Sequence, residues 1–586
     1  MQSEQRNFIL AIVLSGLILF GWSTLASRWF PPANPPVTKV EGGKTTPLPA
    51  PGTLPAPVQK AAKQNRDEVL SATARIPIRT PKFSGSLNLK GARIDDLVLE
   101  TYNETIEKGS PKVRLMSPEG AAKSYFASFD WMGTGVAVPD ANSVWSASGT
   151  ELTPAKPVLL RWDNGTGQSF ILKISVDDEY MFTVEQRVAN TSTAPVVVRP
   201  YALVNRAERP ADPDNWVAHI GPIAALNGAV NYDINYHYLT DTQIGFWDRI
   251  FGTKAKPGVN SASSLGGWLG FGDKYWLTAL APQGAARIDG SFRAGEGSFQ
   301  ADMLRNPVSV APGRAAVTTT YLFAGAKQIN ALDKYETTLG IPLFGKAIDW
   351  GWFEIVEKPM FHYLHWLFGV IGNFGLAIMA LTLTVRLLIF PIAQKQFSSM
   401  AQMRIVQPKM KAIQERHKED KVKQQQEIMA LYKSEKINPL AGCLPMFIQI
   451  PIFFALYKVL MLTIEMRHQP FVAWIRDLSV PDPLTPVNLF GILPFTPPHI
   501  IAIGVLPIIL GVTMFIQFKL NPPPPDPVQA QMFSIMPWVL MFVMAPFAAG
   551  LQLYWATSNI LTILQQKWLY SKYPEMKTAM AATPAK

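Results

Sequence analysis

Cysteine is almost absent from this chain: Cys443 is the only one among 586 residues. No intrachain disulfide can form, in any compartment. Histidine is scarce too, at seven residues, and no Cys or His pair has metal-ligand spacing. That argues against a structural zinc site, and neither a metal nor a cofactor is expected. The chain also lacks a Gly-rich loop followed by Lys and Ser or Thr, so nothing in it is built to cradle a nucleotide's phosphates. Charged residues make up only 17%, but their signs are unbalanced, and the formal net charge is +11. Such an excess fits nucleic acid, an anionic lipid surface or the loops of a membrane protein, and the positions of the charges decide among these.

What the chain has instead is long apolar runs at its two ends, around a polar middle. A length of 586 residues is too great for one core, so several folding units are expected. Residues 1–27 hold the first run, Phe8 to Ala26, behind Arg6. It is long enough to cross a bilayer core of roughly 30 Å and reads as an uncleaved anchor; the competing reading is a signal peptide, because Thr24 and Ala26 resemble a small-x-small site. Further spans are expected at about 363–390, 441–464, 500–518, 532–546 and 548–566. The last two come from one apolar stretch split by Pro546 and Gly550. The total is six, which places both termini on one side.

Lysine and arginine set the side. The loop after the second span carries Lys395, Arg404, Lys409, Lys411, Arg416, Lys418, Lys421, Lys423, Lys433 and Lys436. The loop from Glu465 to His499 has only Arg467 and Arg476, whereas the tail 571–586 holds Lys572, Lys577 and Lys586. The basic loop and tail are therefore expected in the cytoplasm, with the long polar middle outside. The excess charge is thus accounted for without a specific nucleic acid.

Composition predicts an extended Pro-rich tether over 28–74. From 75 to 330 the pattern becomes short alternating runs separated by Gly, Asn, Asp and Pro. One pair is Phe170 to Val176 and Tyr180 to Val188, joined at Asp177 and Asp178. Many such strands with no long helical pattern predict a large all-β sandwich, and the two aspartates read as turn residues. Residues 347–360 mix Trp350, Trp352 and Phe353 with Asp349, Glu354 and Lys358, which fits an amphipathic helix in the membrane interface. Residues 395–437 read as a helical hairpin. Met400, Met403, Val406, Met410 and Ile413 recur at spacings of three and four, as do Val422, Gln425, Met429 and Tyr432 in the second arm. This stripe either zips the hairpin together or offers an adaptable apolar surface to partners, beside basic Arg416 and Lys418. Pro391 is expected to end a span, Pro408 to interrupt the first arm, and the run from Asn521 to Pro527 to form a stiff connector.

Polar residues inside the spans are few. Arg386 lies nine residues before Lys395, roughly 13 Å deeper along a helix. An arginine at a helix centre costs about 2.5–3.5 kcal/mol on insertion scales, unless it snorkels to the interface. Thr382 stands one turn away. Gln449, Thr513, Gln517, Gln552, Trp555 and Asn559 stand on other spans. Each alone is an ordinary interhelical hydrogen-bonding group, but together they can line a wet cavity. No acidic residue occupies a span centre, which is unlike a proton relay and suits a site attracting acidic or polar segments of another chain.

The motifs around these positions resemble the YidC/Oxa/Alb insertases of the Gram-negative type. They include Asp349-Trp-Gly-Trp-Phe353, Gly372-Asn-Phe-Gly375, Leu383-Thr-Val-Arg386 and Asn438-Pro-Leu-Ala-Gly-Cys-Leu-Pro445. Others are Gln449-Ile-Pro-Ile-Phe-Phe-Ala-Leu-Tyr457 and Gly550-Leu-Gln-Leu-Tyr-Trp-Ala-Thr-Ser-Asn559. The resemblance implies an α-helical polytopic membrane protein with a five-helix core (361–570) and an all-β periplasmic supersandwich. It implies no enzymatic activity. It implies a bacterial inner-membrane protein that inserts and helps fold membrane proteins, with nascent membrane proteins, the Sec translocon, the translating ribosome and lipids as partners. Arg386 matches the family's groove arginine and Thr382 its nearby threonine, while the basic hairpin matches the client-receiving region. Trp555 stands where the family often has a second Tyr. The alternative class, a secondary transporter or channel, requires paired intramembrane charges or broken repeats, and neither is found.

Overall fold

The computed structural model describes residues 38–41, 44–47, 64–210, 218–240, 259–295, 297–417, 419–435, 444–493, 502–520 and 527–572. The expected anchor 1–27, Lys418, the connector 521–526 and most of the basic tail lie outside the described residues. Two compact units result, Met1–Ala56 and Pro57–Lys586. In the first, Thr38–Glu41 pairs antiparallel with Lys44–Pro47. In the second, a short helix, Arg66–Ser71, is capped by the Asn65 side chain. These two elements interrupt the segment that composition reads as an extended tether. Gly42 and Gly43 separate the two strands in sequence, a composition that two-residue hairpin loops favour.

The polar middle is built from a nine-stranded and a ten-stranded sheet, both antiparallel. Alternation decides which side chains meet. In Gln168–Val176, Phe170, Leu172, Ile174 and Val176 are buried while their neighbours are half-buried. The partner strand Met181–Asn190 is in register from Gln168 opposite Asn190 to Val176 opposite Phe182. Each fully buried Phe, Leu or Ile contributes about 1.5–3 kcal/mol of apolar burial. Asp177 is a turn residue: its Oδ1 accepts the N–H groups of Glu179 and Met181 at 2.9 and 3.0 Å.

Helix α1 (Ile329–Thr338) follows the last strand and is tied to that same turn. Tyr335 donates its hydroxyl to Asp177 Oδ2 at 2.6 Å and accepts the Tyr180 N–H at 3.2 Å. The connection onward is pinned to the β domain by Trp268 Nε1 on Pro342 O at 3.1 Å and Tyr232 Oη on Lys346 O at 2.7 Å.

The helical part comprises α2 (Glu354–Ile371), α3 (Phe374–Arg416), α4 (Lys421–Ser434), α5 (Leu444–Leu462), α6 (Val505–Leu520), α7 (Pro527–Met544) and α8 (Ala549–Lys572). The span expected over 363–390 is corrected: it is the end of α2 and the start of α3. Gly372 stops α2 in the left-handed region at φ 75°, its N–H bonded to Phe368 O at 2.7 Å. Asn373 then caps α3 by accepting the Leu376 N–H at 3.0 Å. Apolar residues continue across this joint, so hydropathy merges two helices that backbone chemistry separates. The helix expected over 347–360 is accordingly longer, reaching Ile371 after a 3-10 turn at Gly351–Phe353.

Pro391 and Pro408 do not end or interrupt α3, which is 43 residues long. Each proline removes one backbone donor, a cost of about 3 kcal/mol that the remaining turns absorb. The hairpin closes through Val406 and Met410, buried against Ile428, Leu431 and Tyr432. Of the row predicted for α4, Tyr432 faces inward, whereas Val422, Gln425 and Met429 are exposed and Ile428 and Leu431 take their place.

The loop after α5 reaches back to the β domain. Arg467 donates to the carbonyls of Asn103 and Glu104 at 2.8 and 3.1 Å and lies over the rings of Tyr275 and Trp276. The backbone N–H groups of Glu465 and of Ile329, the first residue of α1, face the Glu465 carboxylate. Burial nevertheless pushes this carboxyl up to about 7. Lys458 on α5 donates to Asp349 O at 2.9 Å, just ahead of α2.

Candidate polar site between the core helices

The apolar stretch Phe374–Gln394 of α3 is 21 residues long, about 31 Å at 1.5 Å per residue. Arg386 sits about 18 Å from its first residue and about 12 Å from its last, well inside a bilayer-sized length. Its guanidinium, half-buried, is held by α8: Nε donates to Ser558 Oγ at 3.1 Å and Nη2 makes a shorter contact with the same oxygen. No carboxylate among the described residues pairs with it.

One turn before Ser558, Tyr554 accepts a hydrogen bond from Gln449 Nε2 of α5 at 2.6 Å. Tyr554 is also near enough to Arg386 to interact electrostatically. Three helices, α3, α5 and α8, thus converge on Arg386, Ser558, Tyr554 and Gln449. Beside them, Asn559 Nδ2 donates to Thr513 Oγ1 at 3.2 Å and ties α8 to α6. Gln517 lies one turn beyond Thr513, and its Oε1 is buried with no hydrogen-bond partner among the described residues. Trp555 turns toward α5, edge-on to Phe453 at 5.0 Å.

Two residues expected in the site do other work. Thr382 is buried, and its hydroxyl donates to Ile378 O of its own helix at 2.6 Å, not toward Arg386. The i−4 carbonyl outcompetes a partner across the helix interface. Gln552 is fully buried and closes the α7–α8 turn: Nε2 donates to the carbonyls of Met544, Ala545 and Phe547 at 2.9, 3.2 and 2.8 Å. Met544 is the last residue of α7, whose final carbonyls have no partner within the helix, and Ala545 and Phe547 lie in the turn that follows.

Among the hairpin residues, Met410 is spent within the hairpin, accepting the Tyr432 hydroxyl at 3.0 Å on Sδ. Arg416 is exposed at the end of α3. Met400 and Met403 lie in the same helix. Tyr554 and Ser558 were invisible to residue-type reasoning, which favoured amides and threonines; their four-residue spacing on the face opposite Arg386 was the available signal. Also unforeseen is the pair Tyr363 and Thr384, whose hydroxyls meet at 2.9 Å and join α2 to α3.

A mostly β domain followed by a helical unit with a polar centre and an apolar exterior defines a two-part membrane-protein architecture. The family described as 60Kd inner membrane protein matches residues 366–577, and the YidC periplasmic domain family matches residues 75–363. A membrane protein insertase YidC from Zymomonas mobilis is 48% identical, covering 97% of this chain and 96% of that one. Another from Methylorubrum extorquens is 45% identical over 97% and 95%. A crystal structure described as an active YidC insertase with the first transmembrane domain resolved is similar over 88% of this chain and 94% of that chain, at 17% identity and TM-score 0.35. The chain belongs to the YidC family, inner membrane proteins that carry a periplasmic domain.

Proposed function

We propose that this chain is a membrane protein insertase and folding helper working without nucleotide chemistry. The observation that carries the reading is Arg386, a cation deep in an apolar helix whose described partner is one neutral hydroxyl. A guanidinium in that setting attracts an anion or water. The acidic or polar outer tail of a nascent membrane protein supplies such a group. Arg386, Tyr554, Gln449, Asn559 and Thr513 form the polar floor along which that tail moves, and Gln517 adds an open acceptor. The hydrophobic segment then leaves sideways into lipid, driven by apolar burial.

In this reading α3, α5, α6, α7 and α8 cross the inner membrane and residues 1–27 add a sixth span. Both termini and the α3–α4 hairpin are cytoplasmic, the β domain is periplasmic, and α2 lies in the interface. Supporting it, Phe374–Gln394 is long and apolar enough to cross, and Gln449–Leu462, Val505–Leu520 and Ala530–Met544 are shorter apolar helices. The exposed basic end of the hairpin receives the client as it leaves the ribosome, and the Sec translocon shares larger clients.

The test is insertion into vesicles containing the purified protein. Arg386→Ala should slow clients with acidic outer tails at least about tenfold, which corresponds to about 1.4 kcal/mol, and spare clients with neutral tails. Arg386→Lys should restore part of the rate. Equal rates for all three proteins would remove Arg386 from the mechanism. Crosslinks from Gln449 and Trp555 to a stalled nascent chain should appear, and their absence would move the path elsewhere.

A further inference from the structure

The connection between α5 and α6 contains an excursion with no role in the site above. It leaves and returns at one point. Val505 N–H bonds to Leu484 O at 3.0 Å, and Leu506 N–H bonds to Asp482 Oδ2 at 2.7 Å. Buried Asp482 also accepts the Leu484 N–H and the Trp474 indole N–H, both at 3.0 Å. The base of the excursion is thus locked to the first turn of α6.

Beyond that base, the short helical turn Pro486–Gly491 projects apolar side chains outward. Val487, Leu489, Phe490, Ile492 and Leu493 are between 40% and 78% exposed. Leu489 and Phe490 hold the left-handed region at φ 50° and 60°, rare for bulky residues. The Phe490 N–H on Thr485 O at 3.0 Å and the Leu493 N–H on Asn488 O at 3.1 Å keep them there. Five apolar groups are therefore presented outward by a braced backbone instead of being folded in.

We propose that the tip Val487–Leu493 seats in the outer leaflet of the phospholipid bilayer beside α6, as an interfacial wedge that fixes that helix's depth. The proposal rests on the reading above, in which α3 and α6 are both membrane spans. Three observations choose lipid as the occupant. The sequence has no Asp, Glu, Lys or Arg between Asp482 and Lys519, so the tip lacks the charged rim that a protein interface carries. The base is fastened to the outer end of α6, which places the tip at the membrane surface. The helix to which the base is bonded also carries exposed apolar residues of its own, Ile509, Val512 and Ile516. A surface of this composition partitions into the interface through buried apolar area.

The test uses the full-length protein with Cys443→Ser in phospholipid vesicles. A nitroxide is attached to Phe490→Cys and, separately, to Ile492→Cys. Leu388→Cys, exposed in the apolar part of α3, serves as the lipid reference, and Val317→Cys, exposed on the β domain, as the water reference. Molecular oxygen should relax both tip labels more than a water-soluble nickel complex does, as at Leu388→Cys and opposite to Val317→Cys. Two tip labels that behave like Val317→Cys while Leu388→Cys stays lipid-like overturn the wedge alone. Tip labels that are water-like until a protein partner is added overturn it in favour of a protein docking surface. A water-like label at Leu388→Cys removes the span reading and the wedge together.

Discussion

At the scale of single residues, the polar groups in the helical part divide into those that satisfy backbone and those that face one another across helices. Gln552 belongs to the first kind. Gln552→Leu should leave the Met544, Ala545 and Phe547 carbonyls without this donor and destabilise the protein by about 1–3 kcal/mol. Thermal unfolding in detergent measures this, and an unchanged Tm would show that water replaces the side chain. Ser558 belongs to the second kind. Ser558→Ala should leave the fold intact and change insertion only for clients whose rate responds to Arg386→Ala, because both act through one guanidinium. Type and spacing in the sequence singled out Arg386, Gln449, Thr513 and Asn559, which do meet partners on other helices. They could not separate Thr382 and Gln552 from this set, because choosing an own-helix carbonyl over a neighbour depends on distances between helices. Tyr554 and Ser558 escaped for the converse reason: they look ordinary until α3 is laid against α8.

At the scale of elements, the decisive features are ends. Gly372 is required by its backbone angle and not by space, since nothing lies within 4 Å of where a side chain would begin. Gly372→Ala should cost about 1–2 kcal/mol, read as a lower Tm with normal helix content. Strands were readable because a period of two shows in composition, as in Gln168–Val176. Helix ends were less readable, because apolar residues continue through Gly372 and Asn373 and prolines sit inside α3. Element-scale electrostatics add a pH dependence. Glu357 of α2 is fully buried, and burial pushes its carboxyl up to about 7 from an ordinary 4.5, against the pull of Lys458 and with Asp349 and Glu354 adding to it. A raised folded-state value means that the folded chain holds a proton which the unfolded chain releases. Stability therefore falls as pH rises from about 4.5 to about 7, and the loss is complete above that. Glu357→Gln should remove this residue's share of the fall, leaving the share of Glu465, which burial also pushes up to about 7, and raise Tm at pH 8 with little change at pH 4; a parallel shift at both pH values would contradict the assignment.

At the scale of the whole molecule, the β domain and the helical part are joined by the chain at Leu339–Phe353 and by the loop after α5. Arg467 carries the second junction through two carbonyls and two rings. Arg467→Ala should raise hydrogen exchange at the first turn of α1 and speed proteolysis of the 339–353 connection, without unfolding either part. Unchanged exchange would mean that the other ties, such as Lys458 on Asp349 O, hold the junction without Arg467. Nothing in composition signals this junction, because Arg467 and Asn103 are 364 residues apart.

The unbroken length of α3 has a mechanical meaning. A 43-residue helix is a bar about 64 Å long, with one end at the Gly372 joint and the other in the hairpin. Arg386 is 12 residues along it, out of 42 to Arg416, so it stands near the short arm of a lever. Swinging the hairpin end by 10 Å about that joint carries the guanidinium about 3 Å if the bar stays straight. That distance is enough to part the guanidinium from Ser558 Oγ, which its Nε meets at 3.1 Å. Pro391 and Pro408, each missing a rung of the hydrogen-bond ladder, are the points where bending would instead absorb the stroke.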